Sequence, residues 1–204
     1  MQIDHIFIRA TVGAPEAEAL RAFGLTEGSG NVHPGQGTAN RRFFFANAFL
    51  ELLWIADETE VSSPLTAPTR LHQRLAAGSD ASPFGICFRG ADVVPFPVFD
   101  YQPGYLPSGM RITIASDAPL SEPMWFHLAG SKGLPPAPDH AAALKRITAI
   151  RCIQASVAAL SSTARASGIS FTEGKDHLLE ISFDDEARGI VHDFRPALPL
   201  IFKL

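Results

Sequence analysis

Residues 33–55 read HPGQGTANRRFFFANAFLELLWI. A Gly-rich polar loop runs directly into an apolar block, and that block holds one acid, Glu51, among Phe49, Leu50, Leu52, Leu53 and Trp54. An unpaired charge in an apolar interior costs several kcal/mol, comparable with the net stability of a whole domain. Glu51 therefore needs a partner, a wet cavity or a water-facing side of a strand. Side chains alternate between the two faces of a strand, so Glu51 shares a face with Phe49 and Leu53. That face is apolar, which favours a cavity over open solvent. A salt bridge to Arg41 or Arg42 is the plain structural alternative.

Outward from this stretch, RRFFFAN and AFLELLWIA read as two strands joined by a tight turn near Asn47. Upstream, QIDHIFIRA reads as a strand, being β-branched and aromatic in a short run. APEAEALRAFG reads as a helix, with Pro15 in its first turn and Gly24 at its C-terminal cap. LTEGSGNVHPGQGTAN starts extended and becomes a loop. The first fifty-five residues are thus β-α-β-β-β. Downstream come a polar connector, DETEVSSPLTAPT, a short helix, RLHQRLAAG, and a strand, SPFGICFRGAD. VVPFPVFDYQPGYLPSG carries four prolines and cannot be a regular helix. RITIAS and PMWFHLAG read as strands, and GSKGLPPAPDH as a Pro/Gly linker. RITAIRCIQA then reads as a strand and SVAALSSTARASG as a helix, with Ser156 as N-cap and Gly168 at its end. ISFTEG, HLLEISFDD and GIVHDFRP follow as strands.

Two stretches echo each other. RAFGLTEGSG at 21–30 resembles RASGISFTEGKD at 165–176, and AFLELLW at 48–54 resembles HLLEISF at 177–183, which pairs Glu51 with Glu180. A degraded copy lies between them at 83–128, its helix replaced by the Pro-rich segment. The expected fold class is α+β, with repeated βαβββ units whose curved sheets surround a cavity. Residues 1–130 would form two paired units, 131–145 a linker and 146–204 a third, partial βαβββ-like unit packed on the first two. An odd half-unit leaves a sheet needing cover, so a homodimer is expected.

The chain has 204 residues, 46% hydrophobic and 19% charged, with a net charge of -4. These are the proportions of a soluble globular protein. It has no Lys/Arg block, so no nucleic-acid surface or polybasic membrane anchor is expected. No apolar run reaches the roughly 20 residues that span a bilayer. The N-terminal run is interrupted by Asp4 and His5, unlike a signal peptide. A cytoplasmic location is the expectation. Cys87 and Cys152 each sit alone in an apolar strand and read as buried free thiols, although nothing in their spacing forbids a disulfide.

IDHIFIRA, HPGQGTANRRFFF, AFLELLWI and PMWFHLAG together resemble the glyoxalase-like branch of the vicinal oxygen chelate (glyoxalase/bleomycin resistance/dioxygenase) superfamily. The resemblance is good over residues 1–56 and weaker over 83–128. It implies a divalent metal (Zn, Ni, Fe or Mn) in the cavity between paired units, held by residues of their first and last strands, or a metal-free version of the same cavity. His5 matches the first-strand ligand and Glu51 the last-strand ligand. The third position falls on Gly85, which has no side chain, and the fourth near His127. Pairing the first and third units would put Glu180 in place of His127. Imidazole is the better ligand for a borderline metal, so the implied set is His5, Glu51 and His127.

Glu51 is also the candidate proton shuttle of a catalytic site. Asn40 and Arg42 follow a Gly loop and could take an anionic or carbonyl-bearing ligand, since a guanidinium forks onto a carboxylate. Trp54 and Trp125 end strands beside candidate ligands and would pack in the core or line an apolar pocket. His33 and Gln36 could lie at the mouth. No phosphate loop, dinucleotide fingerprint or Gly-x-Ser-x-Gly elbow is present. Two functions remain: a metal-dependent lyase, isomerase or dioxygenase-type enzyme acting on a small oxygen-bearing molecule, or a metal-free protein that binds such a molecule.

Overall fold

The structure is a computed structural model, in which residues 1–90, 93–131 and 133–204 are described. The opening segment folds in the expected order. Strand β1 (Gln2–Arg9) leads to helix α1 (Ala17–Phe23), then to β2 (Asn31–His33), β3 (Thr38–Phe44) and β4 (Phe49–Ile55). Gly24 closes α1 in the left-handed conformation, with φ of 107°. The polar connector contains a short helix that was not expected, α2 (Glu58–Val61), and the expected short helix follows it as α3 (Leu71–Leu75). Strand β5 (Phe84–Arg89) follows; the last two positions of the expected strand, 91 and 92, lie outside the described residues. The Pro-rich segment holds no helix among the described residues, as expected, but does hold a strand, β6 (Val98–Tyr101). Strands β7 (Arg111–Ala115) and β8 (Met124–Ala129) complete the second unit.

These eight strands form one sheet in the order β2-β3-β4-β1-β5-β8-β7-β6. Each half has the same pattern. The first strand of the unit pairs in parallel with its last, β1 with β4 and β5 with β8. The halves join where β1 and β5 run antiparallel. Alternation along the strands then assigns two faces. Phe7, Leu53, Cys87, Met124 and Phe126 pack with Ile112 and Ile114 on the concave face. Ile6, Ile8, Phe43, Phe45, Leu50, Leu52, Ile86, Phe88 and Trp125 belong to a larger core on the other.

The last third forms a second sheet. It contains β9 (Ile147–Gln154), α4 (Ser162–Ala166), β10 (Ser170–Glu173), β11 (Leu178–Phe183), β12 (Val191–Asp193) and β13 (Leu200–Lys203), in the order β10-β9-β11-β13-β12. The echo in sequence carries over as element order but not as pairing. Here β9 pairs with both β10 and β11, whereas β1 takes β4 and β5. Helix α4 starts later than expected, because Ser161 rather than Ser156 caps it, its hydroxyl accepting from the Ala164 N–H at 2.9 Å. Both cysteines are free and buried.

This second sheet covers the outer face of the first. Ile147, Ile150, Leu179, Ile181 and Phe202 join the larger core. Phe183 packs on Phe45 with ring centroids 4.7 Å apart, and Phe171 meets Trp125 edge-on at 6.1 Å. Trp125 is fully buried, stacks near Phe88 and donates its indole N–H to Glu122. The second unit lacks a helix, and the C-terminal sheet fills that place. The sheet thereby finds its cover within the chain, which removes the reason for expecting a second copy. Among the described residues, no helix is long and apolar enough to cross a membrane.

The linker is pinned by His140. Its Nδ1 accepts from the Thr26 N–H at 3.0 Å and its Nε2–H donates to the Phe44 carbonyl at 2.9 Å. That arrangement needs the neutral ring. Burial lowers its pKa, against smaller upward pulls from the Phe44 carbonyl and Asp139. A histidine held neutral in the folded state contributes stability above its unfolded pKa, about 6.5, and loses it as pH falls from there. His33 and His177 are also shifted down, so the informative quantity is a difference. Urea unfolding between about pH 7 and pH 5 should show a smaller loss of stability for His140→Gln than for the unsubstituted protein. Trp125→Ala should cost about 3–5 kcal/mol in the same assay, the loss typical of a large buried aromatic.

Candidate functional site

The concave face encloses a cavity of about 400 Å³. Its polar side is built by β1, β3 and β4. Glu51 stands opposite Phe7 in the β1–β4 register and opposite Arg42 in the β3–β4 register. It is 4% exposed. Asn40, also buried, donates its Nδ2 to Glu51 Oε1 at 2.5 Å and accepts the Asn31 N–H on Oδ1 at 2.7 Å. The backbone bond fixes which way the Asn40 amide points, and so fixes Glu51.

His5 reaches the same spot from β1. Its Nε2 lies 3.5 Å from Glu51 Oε2, and its Nδ1 lies 2.8 Å from Asp4 Oδ1. Consecutive strand residues normally face opposite ways. Here the β1–β5 register slips between Ile3 and His5, a bulge that lets Asp4 and His5 both line the cavity. A carboxylate only accepts, so Nδ1 carries the proton and the Nε2 lone pair faces the cavity in the neutral ring. The ring stacks on Phe49, with centroids 4.5 Å apart and planes 16° from parallel, and meets the edge of Phe126.

Asp4 is itself held. Arg89 Nη1 donates to Asp4 Oδ2 at 3.2 Å and to the Ile3 carbonyl at 3.0 Å, while Nη2 donates to the Asn47 carbonyl at 3.0 Å. Burial pushes the Asp4 carboxyl up, but the His5 hydrogen bond and the charges of His5 and Arg89 outweigh it and hold it below the usual carboxylate value.

A second polar group lines the cavity beside it. Tyr101 and Tyr105 both donate their hydroxyls to Gln36 Oε1, at 3.2 and 3.1 Å. Gln36 Nε2 donates to Thr38 Oγ1 at 2.7 Å, which lies 2.8 Å from His33 Nδ1. Burial keeps His33 toward its neutral form, with the negative charge of Glu51 pulling the other way. The facing wall is apolar, with Met124, Phe126 and Leu128.

Several candidate residues do not come here. His127 and Trp125 sit on β8 between cavity-facing Met124, Phe126 and Leu128, so alternation points them to the opposite side. The fourth ligand position is therefore filled by an apolar side chain. Trp54 packs against the outer core. Glu180 is bound to Lys203 at 2.7 Å and Arg151 at 3.1 Å on the C-terminal sheet. Gly85 is empty for a steric reason, since a Cβ there would overlap the ring of Phe7. His5, Glu51, Asn40 and Arg42 do line the cavity. Asp4, Arg89, Tyr101 and Tyr105 were not anticipated. Asp4 was masked by the expectation of strict alternation, and the tyrosines lie in or beside the Pro-rich segment that carried no periodic signal.

The residues present do not fit the divalent metal that the resemblance implies. Of the expected ligands only His5 and Glu51 converge, and one oxygen of Glu51 is taken by Asn40. Asp4, His5 and Cys87 do bring one potential donor each within 4.8 Å of one another. Both oxygens of Asp4 are engaged, however, one of them by a guanidinium that repels a cation. A metal would also need Cys87 as thiolate.

A curved sheet of paired βαβββ units around a polar cavity defines the glyoxalase-like class. Residues 3–95, the first unit and the start of the second, match the family model described as Glyoxalase-like domain. No curated protein matches it. Among solved structures, a hypothetical protein from Staphylococcus aureus is 12% identical, with 98% of each chain covered and a TM-score of 0.52. That likeness extends the shared fold to the C-terminal sheet. A methylmalonyl-CoA epimerase in complex with methylmalonyl-CoA and NH4+ is 17% identical over 66% of this chain and 98% of its own, with a TM-score of 0.43. A variant of the Streptomyces coelicolor enzyme in complex with 2-nitronate-propionyl-CoA is 16% identical over 67% and 99%, also with a TM-score of 0.43.

Replacing Arg89 leaves the Asp4 carboxylate buried without its cation. Arg89→Met should destabilise the protein by about 3–5 kcal/mol in urea unfolding, and the double change Arg89→Met with Asp4→Leu should recover a large part of that loss.

Proposed function

We propose that the protein is an enzyme that moves a proton at a carbon beside a carbonyl of a small molecule, without a metal. The observation that carries this reading is the line Asp4–His5–Glu51, in which an imidazole oriented by Asp4 presents its Nε2 to a half-apolar cavity 3.5 Å from a fixed carboxylate. His5 Nε2 takes the proton. Asp4 and Glu51 stabilise the imidazolium that results. The oxygen that gains charge needs a donor. The Tyr–Gln–Thr chain supports His33 in that role: Thr38 accepts from Gln36, and in the tautomer where its own hydroxyl donates to His33 Nδ1 the His33 Nε2–H is left for the ligand. Burial favours the neutral His33 ring, which suits a hydrogen-bond donor that must not itself carry the proton load. Glu51 is thus a supporting group here, and the metal-dependent alternatives lose their ligand set.

Methyl levulinate and levulinate, each with an enolisable ketone, serve as probes in heavy water. Deuterium should enter beside the ketone faster than in buffer alone, and His5→Gln should slow it by about a hundredfold, the range of a lost general base. A chelator should leave the rate unchanged. Exchange equal to buffer for both probes, or unaltered by His5→Gln, would overturn the enzymatic reading in favour of simple binding. Loss of exchange on chelation would overturn the metal-free reading.

A further inference from the structure

Arg41 and Arg42 are neighbours with opposite circumstances. Arg41 points away from the cavity and is saturated: Glu27 takes its Nε at 2.6 Å and its Nη2 at 2.5 Å, and Glu18 takes Nη2 at 2.9 Å. Arg42 lines the cavity and has no carboxylate within salt-bridge distance among the described residues. Its Nε donates to the Ser29 carbonyl at 2.7 Å, and Nη2 donates to Ser29 Oγ at 3.1 Å and the Gly30 carbonyl at 3.4 Å. The guanidinium lies 5.1 Å over the Phe44 ring and 5.7 Å over Phe49, the ring on which His5 also stacks. Neutral acceptors and aromatic faces thus fix the group and leave Nη1 without a protein partner among the described residues. Glu51, the acid whose charge acts on Arg42, is already taken by Asn40 and faces His5.

We propose that Arg42 is the anion anchor of the cavity and that the natural ligand is a small monocarboxylate with an apolar body. This rests on the reading of the cavity as the ligand site. Hydrogen bonds and ring faces recover part of the desolvation of this half-buried cation, and a carboxylate on Nη1 would recover more through charge-assisted hydrogen bonds. The anion must be weakly charged, because Asp4 and Glu51 share the cavity and repel a phosphate dianion more strongly than a carboxylate. Phe126, Leu128 and Met124 take the apolar body. With the carboxylate at Arg42, the ligand passes over Phe49 toward His5, so the shared ring sets the distance between anchor and base.

Levulinate and its methyl ester differ only in that charge. Calorimetric titration at low ionic strength should show levulinate binding about tenfold more tightly than the ester, and Arg42→Gln should abolish the difference, a change of about 1.4 kcal/mol. Arg41→Gln should keep it, and salt should weaken levulinate alone. Inorganic phosphate should not compete. Equal binding of acid and ester, no binding of either, a preference retained in Arg42→Gln, or competition by phosphate at millimolar concentration would each overturn the proposal. The His5→Gln protein separates the two readings. If it keeps the carboxylate preference when no exchange was ever found, the anchor stands and the catalytic reading falls. If exchange depends on His5 but is indifferent to Arg42 and to the ester, the reverse holds.

Discussion

One helix of seven residues, Ala17–Phe23, cannot cover the outer face of an eight-stranded sheet. The second unit brings no helix of its own, so half of that face, including Ile86, Phe88 and Trp125, would otherwise meet water. The C-terminal sheet resolves this by lying across it. Because that cover takes the outer face, the concave face stays free to be hollow. The cavity exists because the hydrophobic demand of the sheet is met from behind.

The same arrangement joins the cover to the site. Asn47, in the β3–β4 turn, exchanges two hydrogen bonds with the backbone of Ile147 at the start of β9, at 2.7 and 3.0 Å. Its own carbonyl receives Arg89, which holds Asp4, which orients His5. A run of hydrogen bonds therefore leads from the C-terminal sheet to the imidazole. The turn that the sequence marks only by an Asn is the point where the two sheets and the site meet.

The fold of the first unit was legible in the sequence because its signals are local. Each strand is a short β-branched or aromatic run, the helix is bounded by Pro15 and Gly24, and Glu51 stands out by charge alone. Its cavity-facing side followed from alternation. The same alternation misled at two places for opposite reasons. At β8 it should have been applied strictly: Phe126 and His127 cannot both face the cavity, and only register, which depends on pairing with β5, decides between them. At β1 it should have been suspended, because a bulge turns Asp4 toward the face of His5. Neither register nor bulge leaves a local mark on a single strand. The repeat in the C-terminal third misled similarly, since equal element order does not fix which strands pair.

The expected ligand set of His5, Glu51 and His127 came apart through the same long-range facts. A ligand set needs donors from both halves of the cavity, and the second half supplies Phe126, Leu128 and a Gly85 whose Cβ position is taken by the Phe7 ring. The buried carboxylates, imidazole and amide of Asp4, His5, Asn40 and Glu51 thereby all come from β1, β3 and β4. What the second unit gives in return is an apolar surface and, from its Pro-rich segment, two tyrosine hydroxyls aimed at Gln36. A one-sided site of this kind favours a ligand with an oxygen-bearing end and an apolar end over one chelated symmetrically between the halves. The asymmetry between the two units, visible in the sequence only as a degraded repeat, is thus the same asymmetry that shapes the ligand.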